Sequence, residues 1–319
     1  MKIKDREQNN PSAMLGLVDL DVAKSAVLGS LRSPGSRRCY EHAISEFIGW
    51  YCSEPRLAFN KAVVTRYRMN LESRGLAPGT VNLRLAAIRR LAYEAADSGL
   101  LSPEQAAGIR RVKGAKKLGV RVGNWLLADE ARQLWEMPDG KTLKGKRDRA
   151  ILSLLLACGL RRGEVAALEL NDIQRREDHW AIVDLTGKGG HVRTVPVPDW
   201  VTRTIQEWVS AAGISSGKLF RCVCRAGKTW GDFMTDRVVW HVVKDYAAKL
   251  GLHQLAPHDL RRSCARLCHV AGGELEQIQF LLGHVSVQTT EKYYVQKVDM
   301  CSGCPKSPIV NARAWLDSA

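Results

Sequence analysis

The sequence predicts a mainly α-helical chain with one small β-sheet, an α+β architecture divided into two domains. Three observations carry that expectation. Apolar residues recur at helical spacing from about Val22 to Val112, and again over most of the chain beyond Trp125. One stretch, "HWAIVDLTGKGGHVRTVPVP" (179–198), alternates with period two on both sides of a Gly-rich turn, the mark of a β-hairpin. Between the two helical regions lies "GIRRVKGAKKLGVRVGN" (108–124), dense in Lys, Arg and Gly and without any period.

Taken in order, residues 1–20 are polar and irregular and are expected to order poorly. Residues 21–112 form a helical domain. In it, "SRRCYEHAISEFIGWYC" sets Tyr40, Ile44, Phe47 and Ile48 on one stripe. "APGTVNLRLAAIRRLAYEAADSG" follows a Pro/Gly break with Thr80 as expected cap. Val81, Leu85, Ile88, Leu91 and Ala92 make its apolar face, Arg84, Arg89 and Arg90 its other face, and Gly99 its stop. Residues 113–124, with Lys113, Lys116 and Lys117, read as a basic linker, either a solvated connector or a strap along a phosphate backbone. Residues 125–319 make the second domain. "KRDRAILSLLLACGL" is an apolar helix stopped by Gly159, and "EVAALEL" continues as another helix. The hairpin follows, then helices near 199–212, 235–250, 258–271, 274–282 and 287–296. No repeat or low-complexity tract interrupts them.

The 319 residues carry 48 Lys+Arg against 33 Asp+Glu, a net charge of +15. Such an excess favours a polyanionic partner such as nucleic acid. No apolar run approaches the roughly 18 residues a membrane span needs. The opening "MKIKDREQNN" lacks the apolar core of a secretory signal, so a cytoplasmic protein is expected. Of nine cysteines, Cys158, Cys264 and Cys268 sit among apolar residues as small core hydrophobes. The pairs Cys222/Cys224 and Cys301/Cys304 are expected to be ordinary reduced thiols, with zinc the alternative if they meet in space.

Several polar residues stand at element boundaries of the second domain. Arg161 follows the helix stop in "ACGLRRGE", with Glu164 three residues on; Lys188 lies at the hairpin tip. His258 and Arg261 open a helix in "APHDLRRSC" and, three apart, are expected to face outward together. His284 ends another in "LLGH", and Tyr293 and Tyr294 follow in "TTEKYY". Each has a structural reading as well: a surface ion pair, a solvated turn, a helix-end cation, or core aromatics.

In order and local context, "GLRRGE … GKGGHVRTVPV … HDLRR … LLGH … TTEKYY", with nine residues from His284 to Tyr293, resembles the tyrosine recombinase, or phage integrase, family. The resemblance covers the whole chain. It implies a helical core-binding domain of SAM-like type, the basic linker, and a mixed α/β catalytic domain, together forming a clamp around DNA. It implies that Tyr293 attacks a DNA phosphodiester, leaving a 3′-phosphotyrosyl bond and a free 5′-hydroxyl. Arg161 and Arg261 are implied to hold the non-bridging oxygens, a task suited to guanidinium. Lys188 is implied as general acid, aided by loss of basicity among arginines. His258 and His284 are implied to contact the phosphate or take the tyrosine proton, and Glu164 to orient Arg161. The chemistry calls for no metal, cofactor or ATP, because one phosphodiester is exchanged for an ester of similar energy. Arg162, Arg262, Arg84, Arg89, Arg90, Lys113, Lys116 and Lys117 are candidate DNA contacts. Arg262 stands where the family often has a second histidine, and Tyr294 adjoins the nucleophile.

The resemblance implies a site-specific recombinase acting as a homo-tetramer on two double-stranded DNA sites through a Holliday intermediate. Accessory DNA-bending proteins are a possible addition, a membrane partner is not expected, and the free protein is expected to be a monomer. A type IB topoisomerase and a catalytically idle DNA-binding regulator are the alternatives. The tail "CSGCPKSPIVNARAWLDSA" ends in an amphipathic stretch that packs either on a neighbouring protomer or on its own chain.

Overall fold

The computed structural model describes residues 17–53, 58–116, 124–187, 189–286, 288 and 290. The chain divides into two compact units, residues 1–120 and 121–319.

The first unit is helical throughout its described residues: α1 (Leu17–Gly29), α2 (Pro34–Ser53), α3 (Lys61–Ser73), α4 (Pro78–Asp97) and α5 (Pro103–Arg110). Long α4 packs on all four others, burying Val81, Leu85, Ile88, Leu91 and Ala92. The ring of Phe47 meets Trp50, Tyr51, Phe59 and Tyr67 at the centre. Caps set two helix starts. Asn60 Oδ1 accepts from the Ala62 and Val63 amides, and Ser102 and Gln105 form a reciprocal capping box.

Three expectations change here. The first helix starts at Leu17, inside the segment expected to be irregular, because Leu20, Ala23 and Val27 bury one face despite the charged residues between them. Thr80 is not the cap of α4; Pro78 opens the helix after Ala77, where a missing N–H costs nothing, and Thr80 N–H donates to Ala77 O. Arg84 is not on an open face either. It is buried against α2, donating to Glu46 Oε1 at 2.9 Å and ion-paired with Oε2 at 2.8 Å.

The second unit contains α6 (Ala128–Glu136), α7 (Leu143–Ala157), α8 (Arg162–Ala167), a 3₁₀ turn at Leu170–Asp172, α9 (Asp199–Ala212), α10 (Asp236–Lys249), α11 (Pro257–Val270) and α12 (Leu275–Leu282). Its strands are β1 (Ile173–Arg176), β2 (His179–Thr186), β3 (Val192–Val197), β4 (Cys222–Val223) and β5 (Thr229–Trp230). Helix α7 is the axle: α6, α9, α10 and α11 pack on it, and it is buried nearly all round. The buried charge on it is satisfied locally, with Asp148 accepting from Arg147, Lys144 and the Tyr246 hydroxyl.

The expected hairpin is β2–β3, with Trp180 opposite Val197 and Ile182 opposite Val195. The pairing shifts between Ile182 and Leu185, where Asp184 adopts φ 53°, a bulge beside the turn. Two corrections concern the sheets. The hairpin gains β1 as a third antiparallel strand, and β4–β5 form a separate two-stranded ribbon, so the described residues hold two small sheets rather than one. The β1 sequence "IQRR" carries no apolar alternation to announce it. The helix expected over "EVAALEL" starts earlier, at Arg162, and stops at Ala167 before the 3₁₀ turn.

After α7, Gly159 takes φ 57°, the left-handed conformation that ends helices. A Cβ there would lie 2.6 Å from Leu282 Cδ2, so the same glycine lets the end of α12 close against the end of α7. The expected helix at 287–296 and the C-terminal tail fall outside the described residues, apart from residues 288 and 290.

Candidate active site

The site is assembled where α7, α8, α11 and α12 bring their ends together. Arg161 is the N-cap residue of α8 and Glu164 is the third residue within it. The Arg161 amide donates to Glu164 Oε2 at 2.9 Å and its guanidinium to Oε1 at 2.6 Å. The carboxylate is 5% exposed, and Arg193 of β3 grips its other side, Nη2 to Oε2 at 2.9 Å and Nη1 to Oε1 at 3.2 Å. Burial would raise the Glu164 pKa, but the bonds from Arg193 and Arg161 hold it below the ordinary carboxylate value. Glu164 is thus an anion locked between two cations.

Arg261 departs from expectation. It does not face outward with His258; at 1% exposure it is one of the largest fully buried side chains. Its Nη1 donates to Gly159 O at 2.5 Å and its Nη2 to Leu282 O, tying together the ends of α7 and α12. The reason is local: both carbonyls lie at or just past helix C-termini, where a cation satisfies the orphan acceptors and the dipole alike. His258, one turn earlier on α11, stays at the surface. Asp259 between them accepts from the Ala256 amide at 3.0 Å and pairs with Arg262 at 3.1 Å.

His284 follows the left-handed Gly283 (φ 61°) that closes α12. Its amide donates to Gln279 O at 3.1 Å, its carbonyl accepts from Gln279 Nε2 at 2.9 Å, and Nδ1 shares a hydrogen bond with Thr290 Oγ1 at 2.9 Å. The residue is held through its amide, its carbonyl and one ring nitrogen.

The two histidines register the field. Burial, then Arg261, Arg161, His258 and Arg193, pull His284 down to about 4. Desolvation, then Arg262, Arg261 and, more weakly, Arg161 lower His258, with Asp259 opposing. Both imidazoles are therefore neutral at pH 7 and able to give or accept a hydrogen bond, in a locality that is net positive. A cleft of about 330 Å³ opens there, lined by Arg161, Arg162, Trp240, His258 and Arg261. Cations with neutral donors around an open cleft suit an incoming phosphate.

Five expected residues, Arg161, Glu164, His258, Arg261 and His284, thus come together. Lys188 and Tyr293, with Tyr294, lie outside the described residues. The hairpin shoulder is described: the Gly187 amide donates to His191 O at 2.7 Å, and Gly187 lies against Glu164 and Arg193. Arg162 sits on the rim, paired with Asp236 at 3.1 Å. In the first unit, Arg89 donates to Val112 O at 2.5 Å and Arg90 to Glu94 at 3.2 Å. Lys113 and Lys116 are exposed, and Lys117 is outside the described residues. Arg193 and Trp240 were not anticipated. A signal for Arg193 was present: it shares the inward face of β3 with Val195 and Val197, an odd place for an arginine without a task.

Among the described residues no group of three or more His, Cys, Asp and Glu side chains gathers as a metal site. Cys222 is half-buried and Cys224 exposed, while Cys301 and Cys304 lie outside the described residues. Among the described residues no helix is long and apolar enough to cross a membrane.

Comparison with known proteins gives a consistent picture. Residues 124–299 match the model of the phage integrase family. The tyrosine recombinase XerC of Xanthomonas campestris pv. campestris (strain B100) is 31% identical over 258 residues, 80% of this chain and 76% of that protein. A tyrosine recombinase of Synechococcus elongatus is 27% identical over 308 residues, 92% and 94% of the two chains. Among solved structures, the XerH site-specific recombinase bound to palindromic difH substrate is similar with TM-score 0.67 and 19% identity, over 88% of this chain and 82% of that one. A lambda integrase dimer bound to a COC′ core site gives 0.66 and 15%, over 91% and 99%. These structural likenesses speak for the fold.

Proposed function

The chain belongs to the phage integrase family of tyrosine recombinases and is a site-specific DNA recombinase, and we propose that it cuts and rejoins DNA through Tyr293 in the site built above. The observation that carries the assignment of roles is the convergence of Arg161, Arg261 and His258 on one cleft, with His284 near enough to feel the charge of all three and Glu164 fixing the first arginine. A phosphodiester under attack gathers negative charge on its non-bridging oxygens. Cations held in place beforehand stabilise it without reorganisation, and each donor is worth about 3–4 kcal/mol.

In this reading Tyr293 supplies the nucleophile and Lys188 the proton for the departing 5′-oxygen. Arg161 presents its free guanidinium edge to the phosphate. Neutral His258 and His284 bridge phosphate oxygens or relay the tyrosine proton. Buried Arg261 acts partly by field and partly by holding the Gly159 and Leu282 carbonyls in place. The partner is double-stranded DNA carrying recombination sites, engaged by four copies of the chain in the cytoplasm. Accessory bending proteins belong to the same reading, and so does a domain order of helical unit, basic linker and catalytic unit. The relatives' names favour recombination over a type IB topoisomerase or an idle DNA-binding regulator.

The test is an adduct assay on nicked cognate DNA in EDTA. Wild type and Tyr294→Phe should form a covalent complex; Tyr293→Phe should form none. An adduct surviving Tyr293→Phe, or one that demands magnesium, overturns the assignment. Relaxation of a supercoiled plasmid lacking any site should be slow, whereas a topoisomerase performs it readily.

A further inference from the structure

Arg193 belongs to none of the roles assigned above, yet it touches three of the motifs that fill them. From the inward face of β3 its Nη2 and Nη1 bind both oxygens of Glu164, and its Nε donates to Leu281 O at 3.2 Å in the last turn of α12. Two glycines press against it. A Cβ on Gly283 would lie 2.8 Å from Arg193 Cδ, and one on Gly187, beside Lys188, would lie 3.1 Å from Nη1. The neighbouring carbonyl, Leu282 O, is taken by Arg261. The bonds close a circuit: Arg161 to Glu164, Glu164 to Arg193, Arg193 to Leu281, Leu282 to Arg261, Arg261 to Gly159, and two residues of chain back to Arg161.

Resting on the recombinase reading of the site, we propose that Arg193 is a positioning residue, locking the Arg161–Glu164 pair, the shoulder of the lysine hairpin and the turn bearing His284 into one register. It does not touch DNA in this role; its side chain is 10% exposed and all its described bonds go to protein. The alternative is a plain structural ion pair whose loss softens the fold and nothing else. The two differ in what they move. A displaced catalytic group costs rate at unchanged binding, roughly 10²-fold for an ångström.

The experiment compares wild type, Arg193→Gln and Arg193→Lys for DNA affinity, thermal melting, and single-turnover formation of the covalent complex on saturating nicked DNA. Affinity should stay within about threefold while cleavage falls about 10–100-fold in Arg193→Gln. Arg193→Lys should lie between, since lysine keeps the charge but not the two-oxygen grip. Adding Glu164→Gln to Arg193→Gln should cost little more than either alone, because both break the same circuit. Wild-type cleavage rates in both variants overturn the proposal, and so does multiplicative loss in the double variant. If neither variant folds, Arg193 is a folding determinant and the proposal likewise fails. Absence of an adduct from wild type itself would instead strike the recombinase assignment of the site.

Discussion

Two glutamates in this molecule are each gripped by two arginines, and only one of the clusters lies in the proposed active site. In the helical unit, Glu46 binds Arg74 at 2.6 Å and Arg84 at 2.8 Å. In the second unit, Glu164 binds Arg161 at 2.6 Å and Arg193 at 2.9 Å. The geometry is nearly the same, but the surroundings differ. Beside Glu46 stands Tyr67, whose pKa rises to about 12 through burial and the Glu46 charge, offset by Arg84 and Arg74. Beside Glu164 stand Arg261 and Arg262 and two histidines driven toward neutrality. One carboxylate between two guanidiniums leaves both clusters net positive, but the first sits at the partly exposed edge of a helical core, while the second adds further cations around a cleft. In the proposed reading, an arginine–carboxylate pair becomes reactive only as one member of a larger cationic group.

The sharpest way to break that contrast is to truncate one arginine of each pair. Arg161→Ala should lower covalent-complex formation by about 10²–10³-fold, since one preorganised donor is lost from the transition state, and it should also lower the melting temperature, because buried Glu164 then keeps only Arg193. Arg84→Ala should cost stability alone. It leaves partly exposed Glu46 with Arg74 as its remaining arginine, which costs about 1 kcal/mol, while cleavage per bound complex is unchanged. If Arg84→Ala instead keeps its melting temperature and flattens the dependence of log affinity on log salt, Arg84 contacts DNA and the contrast fails.

Those two arginines also mark how far the sequence could be read. Arg161 was legible because its neighbours announce a function: a helix stop before it, an acid three residues after it, and four further motifs in order downstream. Arg84 misled because its partner lies 38 residues away on another helix, which helical spacing within α4 does not reveal. Arg261 was legible in identity but not in attitude. Spacing places it on the same helical face as His258, yet that face turns inward at Arg261, where the ends of α7 and α12 offer it two carbonyls. Helices with long apolar stripes, such as α2 and α4, were plain, whereas the start of α1 was hidden by the charged residues that interrupt its stripe. Elements without a periodic signal, such as β1 with its "IQRR", become strands only because a neighbour supplies the hydrogen bonds.

A smaller effect separates the units through their glycines. Gly283 and Gly75 both have left-handed backbones, at φ 61° and 70°. Around Gly75 nothing lies within 4 Å of an added Cβ, whereas at Gly283 the Arg193 side chain is 2.8 Å away. Gly75→Ala should cost only the conformational penalty, about 1 kcal/mol. Gly283→Ala should cost that and displace Arg193, slowing cleavage about tenfold at equal DNA affinity. Equal cleavage by the two variants would mean that the turn before His284 tolerates movement and that the circuit through Arg193 is looser than its distances suggest.

The smallest effect is one of pH, and it follows from the burial of His284 together with the charge surplus around it. His284 titrates near 4 in the folded unit against an ordinary value of 6.5. Between those values the unfolded chain binds the extra proton and the folded one does not. Stability must therefore fall as pH is lowered from about 6.5 toward 4, and it is fully present above 6.5. Melting curves at pH 7.5 and 5 should show a larger loss for wild type than for His284→Asn, which has no such proton to take up. DNA should reverse the sign locally: a phosphate between the arginines offsets the cations that depress the histidines, so binding at pH 5 should take up protons. Calorimetry in buffers of different ionisation enthalpy reads that uptake directly. If uptake is absent in wild type, or equal in wild type and His284→Asn, the positive surplus does not act on His284, and the two glutamate clusters are more alike than their surroundings imply.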